Sequence, residues 1–349
     1  MLNKVISIVD NALSDDKLFY IVEDVSWSIK ADGVNIISHL KKIRGKVTTT
    51  VLGIDKEAVI HYGSLNTILG KKLYPSNKKR VVATCFHIND KDHIKSKLLL
   101  ADEHVGKWHT SCSITKEVMI ECGINSEKIS VIPLGVDHNI YHPAYYINEK
   151  KAFRDKYGIA DDTIVIGSFQ KDGNGWGEGL EPKLIKGPDV LCDVVERLNK
   201  KYKIYVLLSG PARGYVINRL ETSGVKYKHF CFDDPNEVAE LYRQIDLYMV
   251  CSRIEGGPKA ILESMASGVP IISTRVGMAQ DIINDGKNGM LVDVGDVDGI
   301  YKRAGKIIED SGLRKRIVGD AFITAEKYDI DTIVQKYERE LYIPILEGI

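Results

Sequence analysis

The chain has 349 residues, with 48 Lys and Arg balanced by 48 Asp and Glu, so its formal net charge is zero. That length suits two domains with a core each, and the charge balance argues against a general nucleic-acid binder. Six cysteines without a C-x-x-C pair, an opening without a long apolar core and no apolar run of transmembrane length predict a reduced, cytoplasmic protein whose membrane contact is at most peripheral.

In chain order, Leu2, Val5, Ile6, Val9 and Leu13 fall on one helical face. They predict a short helix packed ahead of the first strand, or alternatively a helix lying on a membrane. Apolar runs at 18–23, 47–52, 59–62, 81–86, 98–102 and 129–132 read as strands, with helical patterns between most of them. This alternation predicts βαβ units on a parallel sheet. Residues 30–107 hold 15 Lys and Arg against 7 Asp and Glu, an excess of eight. Such a basic face is either a solubilising surface or an attractor of anionic lipid or an acidic acceptor. His87 follows the run 81–86, and a histidine at the carboxyl end of a parallel strand faces a ligand more often than a core; capping of the next turn is the alternative.

Gly135-Val136-Asp137 and His142-Pro143 form a turn-rich link, which places a first domain at 1–150 and a second at 151–327. In the second, strands are expected at 164–169, 204–208, 228–232, 247–250, 271–273 and 289–292. Lys171 follows the first of these, and Lys186-Gly187-Pro188-Asp189 opens the next helix. A helix start flanked by two cations suits a diphosphate. Between them, the glycine-rich stretch 172–183 carries Trp176, which either stacks on a sugar or anchors a mobile lid.

The most informative stretch runs from Glu255 through Gly256, Gly257, Pro258 and Lys259 to Glu263. Two glycines and a proline between a strand end and a helix start let the backbone approach a ligand, and Glu263 lies one helical turn beyond Lys259. One carboxylate then reaches one end of an elongated ligand and the other its far end. With its flanking strands, the run 245–293 resembles the donor-binding core of the retaining family 4 glycosyltransferases, which have the GT-B fold. The resemblance is strong over 167–293 and weak before residue 64.

That resemblance implies an α/β protein of GT-B architecture, two Rossmann-like domains facing each other across a cleft, with a final helix at about 328–349 returning to the first. It implies a retaining transfer of sugar from a nucleotide sugar, a UDP- or GDP-sugar, to an acceptor hydroxyl in glycan, polysaccharide or glycolipid synthesis. Glu255 is expected on sugar hydroxyls, Glu263 on the ribose, and Gly256, Gly257, Pro258 and Lys259 around the donor. Lys171 and Lys186 are expected on the leaving diphosphate, where the family's usual Arg is absent at the first position. Lysine supplies a point charge there without the bidentate fork. Gly210 and Arg213 are expected near the diphosphate, Phe232 with Cys231 near the base, and His87 on the donor sugar. Trp27 and Ser28 are candidates for the acceptor side, although the double glycine common in that loop is missing. No cofactor or metal is expected, because cations and amides neutralise the phosphates; Asp296, Asp298, Asp233 and Asp234 are read as a loop and a helix cap. A sugar-nucleotide epimerase and a non-catalytic nucleotide-sugar-binding scaffold are the competing readings.

Overall fold

The structure is a computed structural model that describes residues 2–23, 28–71, 74–75, 77–88, 90–144 and 147–348. The chain divides into two α/β units, Met1–Gly135 with Ile330–Ile349, and Val136–Asp329. The division therefore falls after Gly135, ahead of the expected boundary at 150, which lies inside the helix Ile147–Tyr157.

The first unit is a six-stranded parallel sheet of β1 (Leu18–Ile21), β2 (Gly45–Thr48), β3 (Val59–Tyr62), β4 (Val81–Thr84), β5 (Lys107–Thr110) and β6 (Ile129–Val131), in the order β2-β1-β3-β4-β5-β6. The residues of β1, β3 and β4 are buried throughout, which is why these strands read as largely apolar runs, broken only by His61 and Thr84. The run 98–102 is not a strand. It ends the helix Lys91–Asp102, opened by Asp90, whose carboxylate accepts the His93 N–H at 3.0 Å. Leu98 is buried while Leu99 and Leu100 face outward, as helical spacing requires. The strand it displaces is β5, whose Trp108 is fully buried and donates its indole N–H to Asp102 at 2.7 Å.

The opening helix, Leu2–Ala12, is present, but its apolar face is not the one packed against the unit. It docks through Asn11, whose amide donates to the carbonyls of Thr50 and Leu52 at 3.1 and 3.0 Å. Val5, Ile6, Val9 and Leu13, on the opposite face of the helix from Asn11, are left exposed.

Ile330–Tyr337 and the turns up to Glu347 belong to the first unit. Glu338 is buried, and one of its carboxylate oxygens accepts the backbone N–H groups of Lys41, Lys42 and Ile43 at 3.0, 2.7 and 3.2 Å. Tyr337 and Tyr342 close a buried polar chain against the sheet. Tyr342 OH lies 2.7 Å from His61 Nδ1, and His61 Nε2 lies 2.7 Å from Thr84 Oγ1. Thr84 Oγ1 is 2.9 Å from His109 Nδ1, and His109 Nε2 is 2.9 Å from both Tyr337 OH and the Ile132 carbonyl. Burial holds both imidazoles well below the ordinary histidine range, His109 at about 4.

The second unit is a parallel sheet of β7 (Ile164–Phe169), β8 (Ile204–Ser209), β9 (Lys226–Phe230), β10 (Leu247–Val250), β11 (Ile271–Thr274) and β12 (Met290–Val292), in the order β12-β11-β10-β7-β8-β9. Renumbered within the unit this is 3-2-1-4-5-6, the doubly wound order, and it reverses between β7 and β10. Its core is the apolar face of Pro188–Asn199, with Val190, Leu191, Val194, Val195 and Leu198, packed on Val206, Leu208 and Met249.

Candidate functional site

In an open α/β sheet a ligand binds at the carboxyl ends of the strands where the order reverses, since the flanking helices depart to opposite faces there. In the second unit that point is the gap between β7 and β10, and the sequence-predicted charges gather around it. Lys171 lies two residues beyond β7, and Glu255 five beyond β10. Lys186 ends the 3-10 turn Leu184–Lys186 that feeds the helix Pro188–Asn199. Its ammonium donates to both Glu255 oxygens at 2.7 and 2.8 Å, and Ser252 Oγ donates to Glu255 Oε1 at 2.9 Å. The pair is part-buried, with side-chain exposures of 25% for Lys186 and 11% for Glu255. Water therefore screens it incompletely, and both groups keep a face open to a ligand.

Backbone geometry fixes this arrangement. Gly187 has φ +65°, and a Cβ there would sit 1.9 Å from the Cys251 carbonyl oxygen, so only glycine lets the turn lie this close to the end of β10. Pro188 is the first residue of the helix and Asp189 the second, where Arg253 grips Asp189 with two N–H···O bonds of 2.8 and 2.6 Å. This ion pair holds Asp189 below the ordinary carboxylate range and ties the β10 loop to the helix start. Sequence reasoning did not find it, since Arg253 and Asp189 are distant in the chain.

The helix carrying Glu263 is Ala260–Ala266, with Lys259 as its N-cap, Pro258 buried and Gly257 half-buried. Gly256 is buried and its carbonyl accepts the Met278 N–H at 2.9 Å. Glu263 Oε2 accepts the hydroxyl proton of Tyr242 at 2.9 Å. Tyr242 lies among Tyr141, Tyr248 and Phe169, with ring centroids at 5.7, 5.3 and 4.9 Å. Burial first, then the nearby Glu263 charge, pushes the Tyr141 phenol far up, so it stays a donor. This tyrosine wall positions Glu263 and had no sequence signal beyond scattered aromatics.

Arg213 is not on a ligand-facing surface. It is buried, with Nε 2.9 Å from Asp172 Oδ1. Its Nη1 donates to the carbonyls of Ser168, Gln170 and Ser209 at 2.7, 2.9 and 2.9 Å, and Nη2 to Ser168 Oγ at 3.0 Å. Every guanidinium nitrogen thus faces a protein group, which corrects the expectation of a phosphate contact. The residue is instead a buried brace under the ends of β7 and β8. Gly210, with φ +100°, makes the tight turn after β8, and its carbonyl lies 2.7 Å from His229 Nε2. Phe232 is half-buried and stacks on Phe230, with ring centroids 5.9 Å apart, beside the exposed Cys231.

In the first unit, His87 is exposed beyond the end of β4, whereas His61 and His109 are consumed in the buried chain described above. Trp27 lies outside the described residues, and Ser28 opens the helix Ser28–Ser38. Asp234 and Asp296 are helix caps, and Asp298 pairs with Arg197. Among the described residues no group of three His, Cys, Asp or Glu is placed to hold a metal ion, and no helix is long and apolar enough to cross a membrane.

The sequence model of glycosyl transferases group 1 matches residues 180–322, the part of the second unit that holds Lys186, Glu255 and Glu263. The chain is 26% identical to a D-inositol 3-phosphate glycosyltransferase of Xylanimonas cellulosilytica, over 60% of this chain and 50% of that protein. It is also 26% identical to an uncharacterized glycosyltransferase of Methanocaldococcus jannaschii, over 82% of this chain and 75% of the other. The chain thus spans about half the length of the first of these relatives. In three dimensions it is similar to Anabaena HepE, solved in complex with UDP and glucose, with a TM-score of 0.74 at 17% identity, covering 93% of this chain and 99% of that one. The fold is GT-B, two Rossmann-like α/β domains, and the sequence matches are to glycosyltransferases.

Proposed function

We propose that this GT-B glycosyltransferase moves a sugar from a nucleotide sugar to an acceptor hydroxyl with retention of configuration, at the β7/β10 switch point of its second unit. The observation that carries the reading is the Lys186–Glu255 pair, part-buried where the strand order reverses and flanked by Lys171. Lys171 and Lys186 bind the donor diphosphate, Glu255 the sugar hydroxyls and Glu263 the ribose, with Gly256, Gly257, Pro258 and Lys259 shaping the floor. Gly210 and Phe232 line the base side. UDP is the first nucleotide to test, because HepE was solved with it.

In the step proposed, the bond between the sugar's anomeric carbon and the diphosphate oxygen breaks as the acceptor oxygen bonds to that carbon from the same face. The acceptor's proton passes to the departing phosphate oxygen. Negative charge grows on the diphosphate during this step, and preorganised ammonium groups stabilise it more in the transition state than in the bound donor. The site as read uses side-chain cations and needs no bound metal. A peripheral contact with an anionic membrane at its cytoplasmic face fits the exposed Val5, Ile6, Val9 and Leu13 and the basic segment 30–107.

Saturation-transfer NMR with UDP, GDP and ADP tests the donor site. One nucleotide is expected to bind, with binding lost in Lys186→Ala and weakened in Glu263→Ala. Equal binding by wild type and Lys186→Ala, or no binding by wild type, would overturn the assignment.

A further inference from the structure

The stretch between Lys171 and Lys186 is fixed at its base. Gly173 pairs with Pro182, Asn174 N–H donates to the Glu181 carbonyl at 2.9 Å, and Lys183 N–H donates to the Asp172 carbonyl at 2.8 Å. Gly214 and Tyr215 donate in turn to the carbonyls of Glu178 and Gly179 at 2.7 and 2.9 Å. Gly179 has φ +74°, and a Cβ on it would meet the Ala212 carbonyl oxygen at 2.2 Å. A segment tied at this many points is a short hairpin with a presented tip. At the tip Trp176 is 63% exposed, and the Lys171 ammonium lies over its ring, 3.7 Å from the centroid.

The return strand of the hairpin delivers a third cation. Lys183 is half-buried and caps the 3-10 turn that ends at Lys186. Its carbonyl accepts the Lys186 N–H at 2.8 Å, so the two lysines belong to one turn. The Lys183 ammonium is held below the ordinary lysine range, first by burial and then by the charges of Lys186 and Lys171, with Glu255 acting the other way. Lys171, Lys183 and Lys186 thus stand against the one carboxylate of Glu255, leaving two positive charges uncompensated within the group. Two is the charge of the diphosphate in a nucleotide sugar.

We propose that Lys183 is a third phosphate ligand of this chain's donor site, and that the Trp176 ring holds the Lys171 ammonium in reserve until a diphosphate arrives. The proposal rests on the donor-site reading above and adds residues to it. An ammonium over an exposed ring is held more weakly than one bonded to phosphate oxygens, so an arriving diphosphate draws Lys171 off the ring. Lys183 gains a counter-anion in the same event. It then holds its proton more firmly, so binding takes up protons at alkaline pH.

The test is calorimetric titration of the full chain with UDP, UMP and uridine, and with GDP and ADP if UDP does not bind, in two alkaline buffers of different ionisation enthalpy. Lys183→Met is expected to weaken nucleoside diphosphate binding at least about tenfold, to leave the nucleoside unchanged and to abolish most of the proton uptake. Lys183→Arg should restore binding, which separates lost charge from lost folding. Trp176→Leu should tighten the diphosphate slightly, and the change in tryptophan fluorescence expected for wild type on adding pyrophosphate should be absent from this variant. Wild-type affinity and proton uptake in Lys183→Met, with binding lost in Lys186→Ala, would overturn this proposal alone. No nucleoside diphosphate bound by wild type would overturn the donor site and this proposal together.

Discussion

Replacing Arg213 by Met removes the brace under the β7 and β8 ends while keeping most of its volume. The guanidinium and Asp172 are both fully buried, so the substitution leaves a carboxylate without a counter-charge and takes a donor from three carbonyls. Breaking one side of such a pair costs about 3–5 kcal/mol. In a domain of this size that lowers Tm by about 6–20 °C. The sign of the pH dependence follows from Asp172. Burial already raises its carboxyl above the ordinary range despite Arg213, and without Arg213 the raised value climbs further. A folded-state pKa above the unfolded one contributes stability below the unfolded value that is lost as pH rises. The variant should therefore lose more stability near neutral pH than in acid. Thermal and urea unfolding of wild type, Arg213→Met and Arg213→Met/Asp172→Leu across pH would measure this, the double variant regaining part of the loss. A single-variant cost below about 1 kcal/mol, or one that does not grow with pH, would refute the brace.

Two further outcomes follow from the geometry. Gly187→Ala must move the turn away from Cys251 or abandon φ +65°; it should cost on the order of 1–3 kcal/mol and weaken nucleoside diphosphate binding through Lys186, both readable by calorimetry. In the first unit, His61 and His109 are folded neutral, so the unfolded chain binds more protons below its ordinary histidine pKa of about 6.5. Stability should fall as pH drops from there towards about 4, by on the order of 3 kcal/mol for His109, and His109→Gln should flatten that slope in urea titrations.

Much of the second unit was legible because its central strands are buried and almost wholly apolar. Runs 164–169 and 247–250 coincide with β7 and β10, and the glycine-proline punctuation at Gly187-Pro188 marks a real helix start. The misread run 98–102 shows the limit: three consecutive leucines look like a strand until the capping Asp90 and the outward Leu99 and Leu100 are seen. β5 was missed for the converse reason, since its His109 and Thr110 are polar and become buried only by pairing with groups far along the chain. In the site, Lys186 and Glu255 were legible from local turn chemistry, and the structure joins them. Arg213 was not, because a cation beside a glycine turn looks the same whether it points outward or into a buried carboxylate. Lys183 carried only its three-residue spacing from Lys186, a signal that means something once the 3-10 turn is known.

The buried carboxylate of Glu338 and the phenols of Tyr337 and Tyr342 give the chain an order of assembly. They complete the first unit, yet the ribosome makes them only after all of Val136–Asp329 has been synthesised. The usual amino-to-carboxyl sequence of domain folding during synthesis is thereby reversed. The second unit has every strand of its sheet in hand first, while residues 1–135 wait with His61, His109 and the amides of Lys41–Ile43 short of their partners. Released chains that end at residue 329 should carry a protease-resistant second unit and a cleavable first one.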